Sequence, residues 1–105
     1  MSGMVLEERH PGALTLRGDL RAPEVPALLD SLPVTARRYE VDLGGIERID
    51  SAGLALILEW QRRLTSVGGA LVLRHPPDPL VRLAQISGVD KLILSDGDQT
   101  GMTEQ

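Results

Sequence analysis

Apolar and polar residues alternate near the start of the chain in a way that predicts two short β-strands. These strands, at residues 4–8 and 13–17, are separated by the turn-forming triplet His10-Pro11-Gly12. In the second strand Leu14 and Leu16 alternate with polar residues, a pattern typical of a sheet with one covered face. Further short apolar runs predict strands at residues 39–43, 71–73 and 92–94. The chain is therefore expected to contain about five strands.

Apolar residues recur at spacings of three and four in three other segments, which predicts three helices. The first spans about residues 23–32, with Pro23 at its first position and Pro26 loosening its first turn. The second is strongly apolar and runs from about residue 51 to residue 67, where Gly68-Gly69 ends it. Asp78 can cap the third helix, which has Pro79 at its first position and stops at Gly88.

The predicted elements follow the order β-β-α-β-α-β-α-β. This alternation predicts an α/β fold, a small, mainly parallel β-sheet with helices packed on it. Residues 1–94 are expected to form one domain, because a chain of 105 residues is long enough for a single core. Residues 95–105 are polar and lack periodicity, and we expect them to form a disordered tail.

The second predicted helix carries more apolar surface than one buried face requires. Residues 54–58 are Leu, Ala, Leu, Ile and Leu, and five consecutive positions wrap the whole circumference of a helix. The core face does not account fully for three apolar residues near the helix start, Leu54, Ala55 and Leu58. They indicate either a docking site or burial under neighbouring helices. The core face is assigned to Leu56, Ile57, Trp60, Leu64 and Val67.

Polar and small residues open this helix. Asp50 or Ser51 can cap it by accepting a backbone hydrogen bond, and Gly53 permits a close backbone approach. Ser51 is also a candidate phosphorylation site, since a phosphate would lie at the positive end of the helix dipole. The cap and the phosphorylation site remain alternative roles for Ser51 at this point.

Composition narrows the possible functions. The net charge is −4, with no aromatic residues arranged for base stacking, so nucleic acid is not an expected partner. The chain has no cysteine, no apolar run long enough to span a bilayer and no signal-peptide pattern, so we expect a cytoplasmic protein that is not inserted in a membrane.

Catalysis is not expected either. A serine nucleophile at Ser51 would need a base, and the chain's two histidines, His10 and His75, lie in no motif that would supply one. The acidic residues have no metal-ligand spacing, and Gly44-Gly45 lacks the lysine of a phosphate-binding loop. The sequence therefore predicts no catalytic residue, no metal and no cofactor.

Two short sequences carry a family resemblance: the strand Val41-Asp42-Leu43, and Ile49-Asp50-Ser51-Ala52-Gly53-Leu54 at the start of the second helix. Together with the element order, they resemble the STAS domain family over residues 5–94. That family includes the anti-sigma factor antagonists. The resemblance implies a STAS-like fold and a function in protein–protein interaction.

Three further segments are similar to one subgroup of that family, the STAS subunit of the Mla-type phospholipid ABC transporter (the MlaB subgroup). They are Leu54-Ala55-Leu56-Ile57-Leu58-Glu59-Trp60, the helix with Pro79-Leu80 and Leu83-Ala84, and Ile86-Ser87-Gly88-Val89-Asp90-Lys91-Leu92. This similarity implies a small cytoplasmic subunit, peripheral at the inner membrane, that binds the transporter's ATPase subunit and, indirectly, its permease. The partner-binding residues that it implies are Asp50, Ser51, Ala52, Leu54, Ala55 and Leu58. The alternative is an anti-sigma factor antagonist that is switched by phosphorylation of Ser51.

Overall fold

The computed structural model describes residues 4–93, apart from the side chains of residues 4 and 5. Its strands are β1 (Met4–His10), β2 (Ala13–Leu20), β3 (Arg38–Ile49) and β4 (Ala70–Arg74). Its helices are α1 (Val25–Leu28), which follows a 3-10 turn at Ala22–Glu24, α2 (Ser51–Ser66), α3 (Asp78–Ile86) and α4 (Asp90–Ile93). This arrangement confirms the predicted α/β fold.

The four strands form one sheet in the order β1-β2-β3-β4. β1 runs antiparallel to β2, whereas β2, β3 and β4 are parallel, so the predicted mainly parallel sheet is confirmed. Leu14, Val41 and Leu73 are neighbours across three strands, and all three side chains are buried. Because side chains alternate along a strand, the adjacent row, which includes Thr15 and Asp42, lies on the opposite face.

β3 is longer than the predicted strand at residues 39–43. It continues through Gly44 and Gly45 to Ile49, and the pairing with β2 shifts register between Thr15 and Arg17 to accommodate it. A Cβ atom on Gly45 would lie 2.6 Å from a side-chain carbon of Arg17. The two glycines therefore belong to the strand, where Gly45 allows the Arg17 side chain to cross it.

The core lies between the sheet and α2, which also contacts α1, α3 and α4. It is almost entirely aliphatic, as the absence of Phe requires. Trp60 is its largest buried side chain, with 1% of its surface exposed, and its indole Nε1 donates to the Leu29 carbonyl at 3.3 Å. The aromatic ring thus anchors the centre of α2 against the end of α1.

The first helix is much shorter than the predicted segment 23–32. The structure has a 3-10 turn followed by the four-residue α1, and residues 29–31 form a turn. Pro23 at the helix start costs no intrahelical hydrogen bond, but Pro26 has no N–H to donate to the Ala22 carbonyl, so a longer helix would lose one hydrogen bond there. Leu32 is nevertheless buried, so this segment still contributes to the core without being helical throughout.

The predicted fifth strand at residues 92–94 is wrong for the residues that the structure describes. Leu92 and Ile93 belong to α4, and the Leu92 amide donates to the Val89 carbonyl at 3.0 Å. A short apolar run suits a buried helix turn as well as a strand, and the helix places Ile93 in the core. Residue 94 and the predicted tail at 95–105 lie outside the described residues.

Candidate functional site

Asp50 fixes the start of α2. Its extended backbone ends β3, and its Oδ1 accepts hydrogen bonds from the amides of Ala52 at 3.0 Å and Gly53 at 3.1 Å. Its Oδ2 accepts from the Ala22 amide at 3.1 Å. Asp50, rather than Ser51, is therefore the N-cap, and it also holds the connection between β2 and α1 against α2.

The charge of Asp50 is stabilised by these contacts. Desolvation raises the pKa of Asp50, but the hydrogen bonds from Ala22, Gly53 and Ala52 and the nearby Arg21 outweigh it. The pKa therefore lies below its ordinary value, and the cap is ionised at neutral pH.

Gly53 allows α2 to approach the end of β2. A Cβ atom at this position would lie 2.5 Å from the Leu20 carbonyl oxygen and 2.9 Å from the Ile49 side chain. The close approach expected of Gly53 is confirmed. It seats the first turn of α2 directly on the ends of β2 and β3.

Ser51, Ala55 and Leu58 form an accessible stripe along α2, which we call the α2 stripe. Their spacing of four and three residues places them on one side of the helix. Ser51 and Ala55 are exposed, whereas Leu58 is half-buried, as is Ala52 beside them. The Ser51 hydroxyl has no hydrogen bond within residues 4–93, so it is accessible for contact or modification.

Leu54 does not belong to this surface. Only 4% of its surface is exposed and it packs in the core, so the expectation that Leu54 faces a partner is corrected. The opposite correction applies to Val67, which was assigned to the core and is 44% exposed. Val67 lies beyond the end of α2, where the helical spacing no longer determines which side a residue faces.

The α2 stripe leads into a shallow groove that the sequence did not reveal. The groove has a volume of about 420 Å³, and its apolar lining includes Leu58 and Leu92. Leu92 is 58% exposed and its carbonyl accepts from the Gln61 side chain, so α4 forms the second wall. The strand predicted at residues 92–94 gave no indication of this wall, which in the structure is formed by Leu92 of α4.

A cluster of ion pairs borders the groove. Glu59 accepts hydrogen bonds from Arg62 at 2.7 Å and from Arg63 at 2.8 Å, and these bonds lower the pKa of Glu59 to about 2. Arg63 also contacts Asp30 at 2.9 Å and the Leu29 carbonyl at 3.1 Å. These charges hold α2 against the α1 region and provide a polar rim for the apolar groove.

The two histidines lie far from Ser51. His75 is hydrogen-bonded to Asp42. The length of β3 between Asp42 and Ile49 separates this pair from Ser51 by roughly 20 Å or more. His10 lines the same pocket as His75. Neither imidazole is therefore within hydrogen-bond reach of Ser51.

Metal-binding clusters and membrane-spanning helices are both absent from the described residues. Residues 4–93 hold no group of three or more His, Cys, Asp or Glu side chains that could bind a metal ion. None of the helices within that range is long and apolar enough to cross a membrane.

A family model described as "Mlab, STAS domain" matches residues 4–95. The solved structure of the anti-sigma factor antagonist SpoIIAA in its unphosphorylated form is 22% identical, with a TM-score of 0.58 over 80% of this chain and 83% of that chain. The Bacillus cell fate determinant SpoIIAA in the phosphorylated form is 19% identical, with a TM-score of 0.66 over 98% of this chain and 92% of that chain. At these identities the similarity shows a shared fold.

A third solved structure, that of Mglu, is 26% identical, with a TM-score of 0.53 over 70% of this chain and 19% of that chain. This chain therefore corresponds to a small part of Mglu. No curated protein matches the chain significantly.

Proposed function

The chain belongs to the STAS domain family, and we propose that within it the chain is a non-catalytic accessory subunit of an ABC-type phospholipid transporter. It binds the ATPase subunit through the start of α2 and supports that subunit. The transporter serves outer-membrane lipid asymmetry, and the chain is held at the cytoplasmic side of the inner membrane through the ATPase and, indirectly, the permease. It needs no cofactor for this role.

The observation that carries this proposal is the α2 stripe. The apolar residues of α2 are divided between the core and an accessible surface. Exposed Ala55 and half-buried Leu58 lie on that surface. A small apolar area beside exposed Ser51 and a charged rim is the composition of a protein interface. The Mlab description of the matching family model favours the transporter ATPase as the partner.

The test is co-purification of the tagged chain with the ATPase subunit. Ala55→Glu places a charged side chain at an exposed position in the first turns of α2, where a glutamate is compatible with the helix dipole. Leu58→Asp introduces a charge into the apolar part of the stripe. We expect each variant to bind the ATPase subunit with an affinity at least about tenfold lower than that of the wild type, and so to fail to co-purify with it.

The matched control is Ile86→Asp. Ile86 is 83% exposed at the end of α3 and lies outside the α2 stripe, so this variant should bind the ATPase normally. Leu54→Asp is not a useful variant, because burial of a charge in the core would unfold the domain. Circular dichroism checks the fold of each variant, and normal capture of the ATPase by folded Ala55→Glu would refute the proposal.

A second candidate function is that of an anti-sigma factor antagonist. It is favoured by the accessible Ser51 hydroxyl at the first position of α2 and by the likeness to SpoIIAA in phosphorylated form. A phosphate on Ser51 would add negative charge beside ionised Asp50, and so would change the surface that a partner meets.

Mass spectrometry distinguishes the two candidate functions. Incubation with an anti-sigma kinase and ATP should add about 80 Da to an antagonist, the mass of one phosphate. The gain should disappear in Ser51→Ala. An unchanged mass, together with capture of the ATPase, would favour the transporter function.

A further inference from the structure

A second concave site lies on the face of the sheet opposite to α2. It has a volume of about 390 Å³ and is formed where β1 and β4 end and β2 begins. Its wall includes Arg9, His10, Thr15, Asp42, Arg74 and His75. We call this site the sheet-end pocket. It is separate from the α2 stripe and independent of the function proposed above.

Thr15 lies in the wall of this pocket with an unused hydroxyl group. The residue is 9% exposed, and its Oγ1 is buried with no hydrogen-bond partner among the described residues. The strand register places Thr15 directly beside Asp42, which in turn is beside Arg74. A buried hydroxyl without a partner costs free energy, so a molecule that supplies the missing hydrogen bond would be stabilised here.

Both carboxylates of the pocket, Asp42 and Glu40, already accept hydrogen bonds. Asp42 Oδ1 accepts from the Gly44 amide at 2.8 Å, and this bond and His75 hold the pKa of Asp42 below its ordinary value. An ionised carboxylate can only accept, so His75 Nδ1 donates to the same oxygen at 3.1 Å. Glu40 accepts from the Arg74 guanidinium at 3.3 and 3.5 Å.

The donors of the pocket are in surplus. The side chains of Arg9 and His10 make no hydrogen bond within residues 4–93, and the Arg9 guanidinium interacts with the Asp42 carboxylate through its charge. The hydrogen-bond donors left without an acceptor are therefore those of the Arg9 guanidinium, an N–H of the His10 imidazole and the Thr15 hydroxyl. A ligand that accepts several hydrogen bonds and carries negative charge complements this set.

We propose that the sheet-end pocket binds a small oxyanion, a phosphate or carboxylate group. Arg9 binds the anion by charge-assisted hydrogen bonds, while the hydroxyl of Thr15 donates to one of its oxygens. Arg74 and His75 remain bound to Glu40 and Asp42, and so keep those two carboxylates from repelling the ligand.

The experiment is a titration of the full-length, isotope-labelled chain, followed by NMR chemical shifts of backbone amides at constant ionic strength. Inorganic phosphate is the ligand in one arm and acetate in the other, so the two arms identify which oxyanion is bound. We expect saturable shifts centred on Thr15, Asp42 and Gly44. Arg9→Gln should weaken binding about tenfold, as loss of a charge-assisted contact does, whereas Arg82→Gln on α3 should leave it unchanged.

Thr15→Val provides a second, independent variant. It preserves the shape of the side chain and removes the unpartnered hydroxyl, so the melting temperature should stay the same or rise while binding weakens several-fold. Shifts that do not saturate in either arm would overturn the proposal. So would equal affinity of the wild type, Arg9→Gln and Thr15→Val for the same anion.

Discussion

Asp50 and Ser51 are adjacent residues with different structural roles. The carboxylate of Asp50 accepts three backbone hydrogen bonds, from Ala22, Ala52 and Gly53, and so belongs to the scaffold. Ser51 is exposed and its hydroxyl makes no hydrogen bond within the described residues, so it belongs to the surface. Stability and surface exposure are therefore assigned to different side chains at the same helix start.

This division predicts opposite results for two alanine substitutions. Asp50→Ala removes the cap and one tie between α2 and the start of α1, and should lower the free energy of unfolding by about 1–3 kcal/mol. Ser51→Ala should change it by less than about 0.5 kcal/mol, as exposed positions usually do. Urea denaturation of the two variants measures both values. A larger loss in Ser51→Ala than in Asp50→Ala would contradict the assignment of the cap.

The lowered pKa of Asp50 predicts how acid affects the domain. The folded state binds this proton less tightly than the unfolded state, so ionised Asp50 contributes stability above its ordinary pKa of 3.8. That contribution is lost as the pH falls through the lower pKa of the folded state. Asp50→Asn keeps a capping side chain without the charge.

Urea denaturation of the wild type and Asp50→Asn across pH checks this prediction. The difference between their free energies of unfolding should be largest above about pH 4 and should shrink as the pH falls toward 2. Other carboxylates titrate in both proteins and cancel in the difference. A difference that stays constant from pH 7 to pH 2 would show that the charge of Asp50 contributes nothing.

At the scale of the elements, the sequence was most informative where the periodicity was long. α2 repeats its apolar spacing over four turns and ends shortly before Gly68-Gly69, so its type and its approximate bounds could be predicted. β3 was predicted too short, because Gly44-Gly45 normally marks a turn, whereas here the glycines allow Arg17 to cross the strand. Only tertiary contacts distinguish these two roles of glycine.

The candidate site was predictable in part for the same reason. The exposure of Ser51 and Ala55 follows from the helical spacing, and Asp50 was one of the two possible caps. The burial of Leu54 and the groove beside Leu92 could not be derived, since both depend on where α3 and α4 lie against α2. A run of five apolar residues carries no information about which neighbour covers each side.

α4 itself gives a prediction that separates a helix from a strand. In the helix Ile93 is 4% exposed and Leu92 is 58% exposed. In a strand at residues 92–94 the two outer leucines would face the core and Ile93 would face away. Ile93→Ala should therefore lower the free energy of unfolding by about 2–4 kcal/mol, and Leu92→Ala by less than about 1 kcal/mol. If denaturation experiments showed a larger loss of stability for Leu92→Ala than for Ile93→Ala, residues 92–94 would form a strand and not a helix.

At the scale of the whole described domain, the two faces of the sheet differ in kind. One face is covered by α2 and packs aliphatic side chains. The other carries ion pairs such as Arg17 with Glu7 and Arg74 with Glu40. A domain with one core and no second layer of helices on the far face should unfold as a single unit.

Trp60 makes this cooperativity measurable. It is the chain's one tryptophan, it is 1% exposed, and it contacts the α1 region from the centre of α2. Its fluorescence and the far-ultraviolet circular dichroism should therefore change with the same midpoint in urea. A fluorescence change at lower urea would mean that the helices leave the sheet before the sheet unfolds.

The separation of inner and outer residues on α2 also has an evolutionary consequence. Leu56 and Ile57 are constrained by the interior, while Ser51 and Ala55 are constrained only by whatever touches them. Under the proposed function, a lineage could therefore change the partner of the α2 stripe through a few exposed positions, without rebuilding the domain. Gene duplicates would be expected to diverge first along the α2 stripe, and a library randomised at positions 51 and 55 should remain folded while its members differ in specificity.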